Sequence, residues 1–98
     1  MATYIATVKF TQQGLEAVRE TGKHAAAFKV AAKKLGVKVR DIYWTLGYFD
    51  GVIICEAPDD ASVAAAMMQL SRLGNVHTTT ARAFDAAEIE KVVGKLGK

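Results

Sequence analysis

LGYFDGVIICEAPDD, residues 46–60, carries three structural signals in succession. Asp50-Gly51 lies between apolar runs, a strong mark of a two-residue hairpin, because a type I′ turn needs positive φ at both central positions. On that reading Phe49 pairs with Val52 and Tyr48 with Ile53, while Gly47 permits a close approach of neighbouring backbone. Val52, Ile53, Ile54 and Cys55 are consecutively apolar, so the strand Val52–Glu56 calls for burial on both faces. Pro58 follows, and Asp59-Asp60 opens a helix with a carboxylate at the positive end of its dipole.

Working outward, Thr3–Phe10 alternates as a strand. Tyr4, Ala6, Val8 and Phe10 fall on one face and Ile5, Thr7 and Lys9 on the other. Thr11 offers a cap to a helical stretch running towards Gly36, with Ala25, Phe28, Ala32 and Leu35 on one stripe. Thr21-Gly22 predicts a break into two helical pieces, and Gly36 a C-terminal stop. A second strand spans Val39–Leu46, with Ile42, Trp44 and Leu46 on one side and Tyr43 on the other. Beyond the quoted stretch, Val63, Ala66, Met67, Leu70 and Leu73 form the apolar stripe of the next helix, which Gly74 ends. Asn75–Phe84 is a threonine-rich strand whose register is open. Asp85 and Glu88 have the spacing of a capping box, and Ile89, Val92, Val93 and Leu96 give a short amphipathic helix.

The order is β-α-β-β-α-β plus a helix. It predicts one α+β domain over residues 1–98 of the ferredoxin-like type, a four-stranded antiparallel sheet with its two main helices on one face. The other face cannot stay wet, because Ile53 alone forfeits about 1.5–3 kcal/mol if left bare. A second copy packed sheet to sheet is the expected cover, giving a homodimer or higher homo-oligomer. The competing arrangement folds the C-terminal helix back over its own sheet.

Of 98 residues, 51% are apolar and 23% charged, which excludes disorder. Thirteen basic residues against ten acidic ones are too even to demand a nucleic-acid or membrane partner, and Lys23 to Arg40 read as a solvated helix face. The single Cys55 fits a reducing compartment and a small apolar core position. MATYIATVKF lacks a secretory leader pattern, and no apolar run reaches about 20 residues, so the expected location is cytoplasmic. His24 and His77 have no ligand spacing to Cys55 or to each other, and no glycine-rich phosphate loop occurs, so neither metal nor cofactor is expected. RNA-recognition modules share this element order but stack bases on aromatics of the central strands, whereas this third strand reads VIICEA.

LGYFDGVIICEAPDD, followed by LGNVHTTTARAF and an acidic helix start, resembles the GYD-domain proteins, a family of small prokaryotic proteins. The likeness includes Lys9-Phe10-Thr11, Gly14 and the threonine-rich last strand, and covers nearly the whole chain. It implies the dimeric α/β-barrel version of the ferredoxin-like fold, in a bacterial protein. The family pattern resembles Gly-x-Tyr-Asp. Here Gly47 and Asp50 carry over, while Phe49 stands in the tyrosine position.

Two functional readings follow. The first is a non-catalytic module, structural or binding, with a cavity between subunit sheets for a small apolar or aromatic ligand. Its lining candidates are Thr7, Lys9, Tyr43, Trp44, Tyr48, Asp50 and His77, with Ile5 and Thr45 beside them. On the last strand either His77 and Thr79, or Thr78, Thr80 and Arg82, face that space. The second is a small dimeric-barrel enzyme, monooxygenase- or isomerase-like, using Asp50 and His77 near an aromatic pocket.

Overall fold

Strand β1, Ala2–Phe10, runs through the centre of the sheet with the expected alternation: Tyr4 and Ala6 are buried and Ile5 exposed. The computed structural model describes residues 1–97. Its elements follow as α1 (Gln12–Glu16), a 3₁₀ turn (Val18–Glu20), α2 (Thr21–Lys34), β2 (Lys38–Trp44), β3 (Gly51–Ala57), α3 (Asp60–Ser71), β4 (Val76–Ala83) and α4 (Ala86–Gly94). The strands form one antiparallel sheet in the order β2-β3-β1-β4, the ferredoxin-like arrangement. Among the described residues no helix is long and apolar enough to cross a membrane.

Helices α2 and α3 cover one face. Phe28 and Ala32 from α2 and Val63, Ala66 and Met67 from α3 meet Tyr4, Ala6, Ile53, Cys55 and Ala57 of the sheet. Asp59 caps α3 through the Ser62 amide, which donates to its carboxylate at 2.8 Å and holds its pKa below the ordinary carboxylate value. Cys55 is fully buried in this core, and burial pushes its thiol pKa up.

Several expectations change. Ile53, expected on the face left bare, is buried beneath the helices, and β3 shows Val52 and Ile54 on the open face instead. The break in the first helical stretch lies at Ala17–Glu20, and Thr21-Gly22 instead begins α2. Glycine is tolerable in that first turn because its amide needs no intrahelical partner. The β2–β3 connection is no two-residue turn: Trp44 pairs with Gly51 and Tyr43 with Val52, leaving a loop from Thr45 to Asp50. Neither Asp50 nor Gly51 has positive φ, and Gly47 carries it instead, at +133°. Phe49 and Tyr48 therefore have no strand partners, and Leu46 is wholly exposed in the loop. Tertiary bonds to β1, described below, override the local turn signal.

The register of β4 is settled by Thr7 opposite Thr79 and Lys9 opposite His77. His77, Thr79 and Ala81 thus share the open face with Ile5, Thr7 and Lys9. Thr78, Thr80 and Arg82 share the helix side, where the Arg82 guanidinium lies over the Tyr4 ring at 5.8 Å. Helix α4 does not fold back over the sheet: it buries no residue, and Ile5, Tyr43, Thr79 and Ala81 stay exposed. The molecule measures 53 × 31 × 18 Å, with a Cα radius of gyration of 14.9 Å. A compact chain of this length has about 12.6 Å.

Candidate functional site

Beyond the last pair of β1, the chain is clasped from both sides. On one side Thr11 turns it into α1. The Gly14 amide donates to Thr11 Oγ1 at 3.0 Å, and that hydroxyl donates to the Gly74 carbonyl at 2.6 Å. The Thr11 amide donates to the Asn75 carbonyl at 3.0 Å, and Gln13 Nε2 donates to the Leu73 carbonyl and to Asn75 Oδ1. Gly14 is pressed so close that a Cβ there would lie 2.0 Å from the Asn75 carbonyl oxygen. Gly74 has φ +86°, which glycine alone adopts cheaply.

On the other side the Thr45–Asp50 loop grips β1. The Asp50 amide donates to the Val8 carbonyl and the Phe10 amide to Asp50 Oδ2, both at 2.8 Å. Asp50 thereby extends the ladder past Gly51 with its own carboxylate. Within the loop, the Thr45 amide donates to the Asp50 carbonyl and Thr45 Oγ1 to the Phe49 carbonyl. Lys9 Nζ donates to the Tyr48 carbonyl at 2.9 Å and sits 5.1 Å from the centre of the Tyr48 ring.

Above this clasp, on the helix-covered side, lies a cavity of about 240 Å³ between α2, α3 and the sheet. Its walls are apolar: Val8, Phe10, Phe28, Ile42, Ile53 and Leu70. The space exists because α2 presents alanines there (Ala25, Ala27 and Ala31), too short to reach the strands across from them. Trp44 Nε1 donates to Thr21 Oγ1 at 2.9 Å, tying the end of β2 to the start of α2 along one edge. Its polar lining residues are Thr21, His24, Asp50, Gln69 and Asn75.

The candidates from sequence divide between the two sides of the sheet. Thr7, Lys9 and His77 share the open face, Thr7 half-buried and the other two exposed. Trp44 and Asp50 line the cavity, as does Tyr43, although its register with Val52 turns its ring toward the open face. Tyr48 stands exposed in the loop, where Gly47 and the half-buried Phe49 flank it. Asp50 and His77 are not brought together: β1 separates them, and no hydrogen bond links them among the described residues. Among those residues no three His, Cys, Asp or Glu side chains group as metal ligands. Reasoning from sequence missed His24, Thr21 and Asn75. The signal that could have found them is the alanine run of α2 beside His24, which by itself reads as a plain surface helix.

Comparison with known proteins agrees with this architecture. The model of the GYD-domain family matches residues 4–93. A protein of Thermus thermophilus described as a glutamine synthetase and cystathionine beta-lyase binding protein is 33% identical over 90 residues, covering 91% of this chain and 95% of its own. The crystal structure of TTHA0845 from the same organism superposes with a TM-score of 0.57 at 23% identity, over 88% of this chain and 96% of that one. The solution structure of the C-terminal domain of the MgtC protein from Mycobacterium tuberculosis gives 0.52 at 13% identity, over 85% and 88% respectively. At such identities the two structures speak for the fold alone.

Proposed function

The chain belongs to the GYD-domain family, and on that premise we propose that it is a cytoplasmic, non-catalytic interaction module that works as a homodimer and binds a metabolic enzyme. The observation that carries this reading is the unpartnered apolar surface. Ile89, Val92, Val93 and Leu96 of the C-terminal segment are all exposed, as are Phe84 and, across the open sheet face, Ile5 and Tyr43. Left wet, the four aliphatic side chains of α4 and its end forfeit about 3–6 kcal/mol per subunit. A nine-residue helix is also marginal in water unless its apolar stripe is docked.

A second copy is the occupant that fits. Both unpartnered surfaces belong to one chain, so a two-fold axis covers each with its mate and closes the assembly. The open face has an interface's layout. Ile5, Val52, Ile54 and Ala81 form its centre, and Lys9, His77, Asp41 and the Arg40–Glu56 pair form its rim. In that dimer Thr7, Lys9, Tyr43 and His77 lie between the two sheets. The enzyme partner is suggested by the Thermus thermophilus relative, whose description names two enzymes it binds.

Light scattering of the purified protein at micromolar concentration tests the first half. The expected mass is twice 10.5 kDa, falling to one copy in Ile5→Lys and Val92→Asp with helix content retained. Single copies of the native protein refute the dimer. Titration calorimetry against purified glutamine synthetase and cystathionine beta-lyase of the host tests the second half, and heat with neither removes the enzyme partner.

A further inference from the structure

We infer that the cavity between α2, α3 and the sheet is a binding site for a compact aromatic molecule of one or two rings that donates a hydrogen bond to Asp50. The site lies within one subunit on the helix-covered side, so it stands whether or not the proposed dimer forms.

Size and lining set the class of ligand. A cavity of about 150 Å³ lined by aliphatic and aromatic side chains suffices to hold benzene. Sites for drug-sized ligands start at about 300 Å³. At about 240 Å³ this one suits a single or fused ring. Phe10, Phe28, Ile42, Ile53 and Leu70 give it apolar walls for a flat ring.

The polar lining sets the orientation. Asp50 Oδ2 is taken by the Phe10 amide. Its Oδ1 accepts from no group among the described residues, on a half-buried side chain that lines the cavity. A carboxylate oxygen in that position asks for a donor, because burial behind a ligand without one leaves it unsatisfied. Thr21 makes no hydrogen bond to Asp50 among the described residues; its hydroxyl oxygen accepts from Trp44 Nε1, which holds that side chain beside β2. His24, an exposed residue of α2, also lines the cavity. An apolar chamber with a few polar groups in its lining is the general form of a small-molecule site.

The test compares indole with benzofuran, two fused rings of one shape that differ in having and lacking an N–H. Amide chemical shifts of the ¹⁵N-labelled native protein are followed through each titration up to millimolar ligand. Indole is expected to saturate and to move Phe28, Ile53 and Leu70 while leaving Thr79 and Ala81 of the open face unmoved. Benzofuran is expected to bind about tenfold more weakly, the worth of one hydrogen bond to a charged acceptor. Asp50→Asn keeps an oxygen for the Phe10 amide and turns the other atom into a donor, so it is expected to abolish that preference. Ala31→Leu fills the chamber and is expected to suppress both titrations. Absence of any shift with indole overturns the inference. So do shifts confined to the open face, or equal affinity for the two compounds.

Discussion

Replacing Gly14 by alanine sets two expectations directly against each other. Gly14 lies within α1, and in a helix alanine is favoured over glycine by about 0.5–1 kcal/mol. The packing says the opposite. The added Cβ would stand 2.0 Å from the Asn75 carbonyl oxygen and 2.9 Å from its carbonyl carbon, both backbone atoms that cannot swing aside. Reaching the ~3.3 Å at which carbon meets a carbonyl oxygen requires the corner to retreat by roughly 1 Å. That retreat stretches Thr11 N to Asn75 O, Thr11 Oγ1 to Gly74 O and the two bonds from Gln13 Nε2. At about 1 kcal/mol for each of the two better-shielded bonds, those of the Thr11 amide and hydroxyl, and after subtracting the helix gain, the net loss is about 1–1.5 kcal/mol. Urea unfolding followed by circular dichroism reads this as a midpoint lowered by roughly 0.5–1 M at unchanged slope. Gly22→Ala is the internal control, because nothing lies within 4 Å of its added Cβ in α2; it is expected to stabilise by about 0.5–1 kcal/mol. If Gly14→Ala moves the midpoint upward alongside Gly22→Ala, the clasp between the two corners is not as described.

The carboxylate of Asp50 is predicted to matter for stability as an acceptor rather than as a charge. Asp50→Ala strands the Phe10 amide and is expected to cost about 1–2 kcal/mol in the urea midpoint, with Asp50→Asn costing under about 1 kcal/mol; equal losses would refute the assignment. A pH dependence is expected at α4. Glu88 is held below its ordinary value of 4.5, first by the Asp85 amide and then by Arg82, whose guanidinium is 3.0 Å away. A depressed folded pKa contributes stability that is whole above about pH 4.5 and is lost as pH falls through the folded value. Far-ultraviolet circular dichroism should therefore show helix loss below pH 4.5, blunted in Glu88→Gln; a variant that titrates like the native protein would count against this.

The elements were legible wherever a local signal had no tertiary rival. Alternation in β1, the Asp59 cap and the Asp85–Glu88 capping box all appear where the residues place them. Asp50-Gly51 misled because its chemistry is used elsewhere. Asp50 spends its amide on Val8 and one carboxylate oxygen on Phe10. Gly51 is needed small rather than flexible, since a Cβ there would sit 3.1 Å from the Tyr43 carbonyl oxygen. The register of β4 was illegible for a different reason: Thr78, Thr79 and Thr80 put the same side chain on both faces, which leaves no period to read. Attention to the apolar open face led the site reading there. The helix-side cavity comes from small residues, and alanines announce a helix long before they announce a space.

Phe49 is where the chain departs from the pattern its family resemblance implies, and the geometry explains why the departure is tolerated. The loop uses position 49 through its main chain, as the carbonyl that accepts from Thr45 Oγ1 at 2.6 Å. Position 47 contributes a positive φ, and position 50 a carboxylate and an amide. None of these duties needs a phenol. The ring that Lys9 covers is that of Tyr48, one place earlier. The motif in this chain is therefore a fastening for the end of β1 against β3, and its aspartate is the one member that also reaches the cavity. If a ligand gains from the motif, it gains through that carboxylate. The fastening is what keeps one of its oxygens occupied and leaves the other without a partner among the described residues.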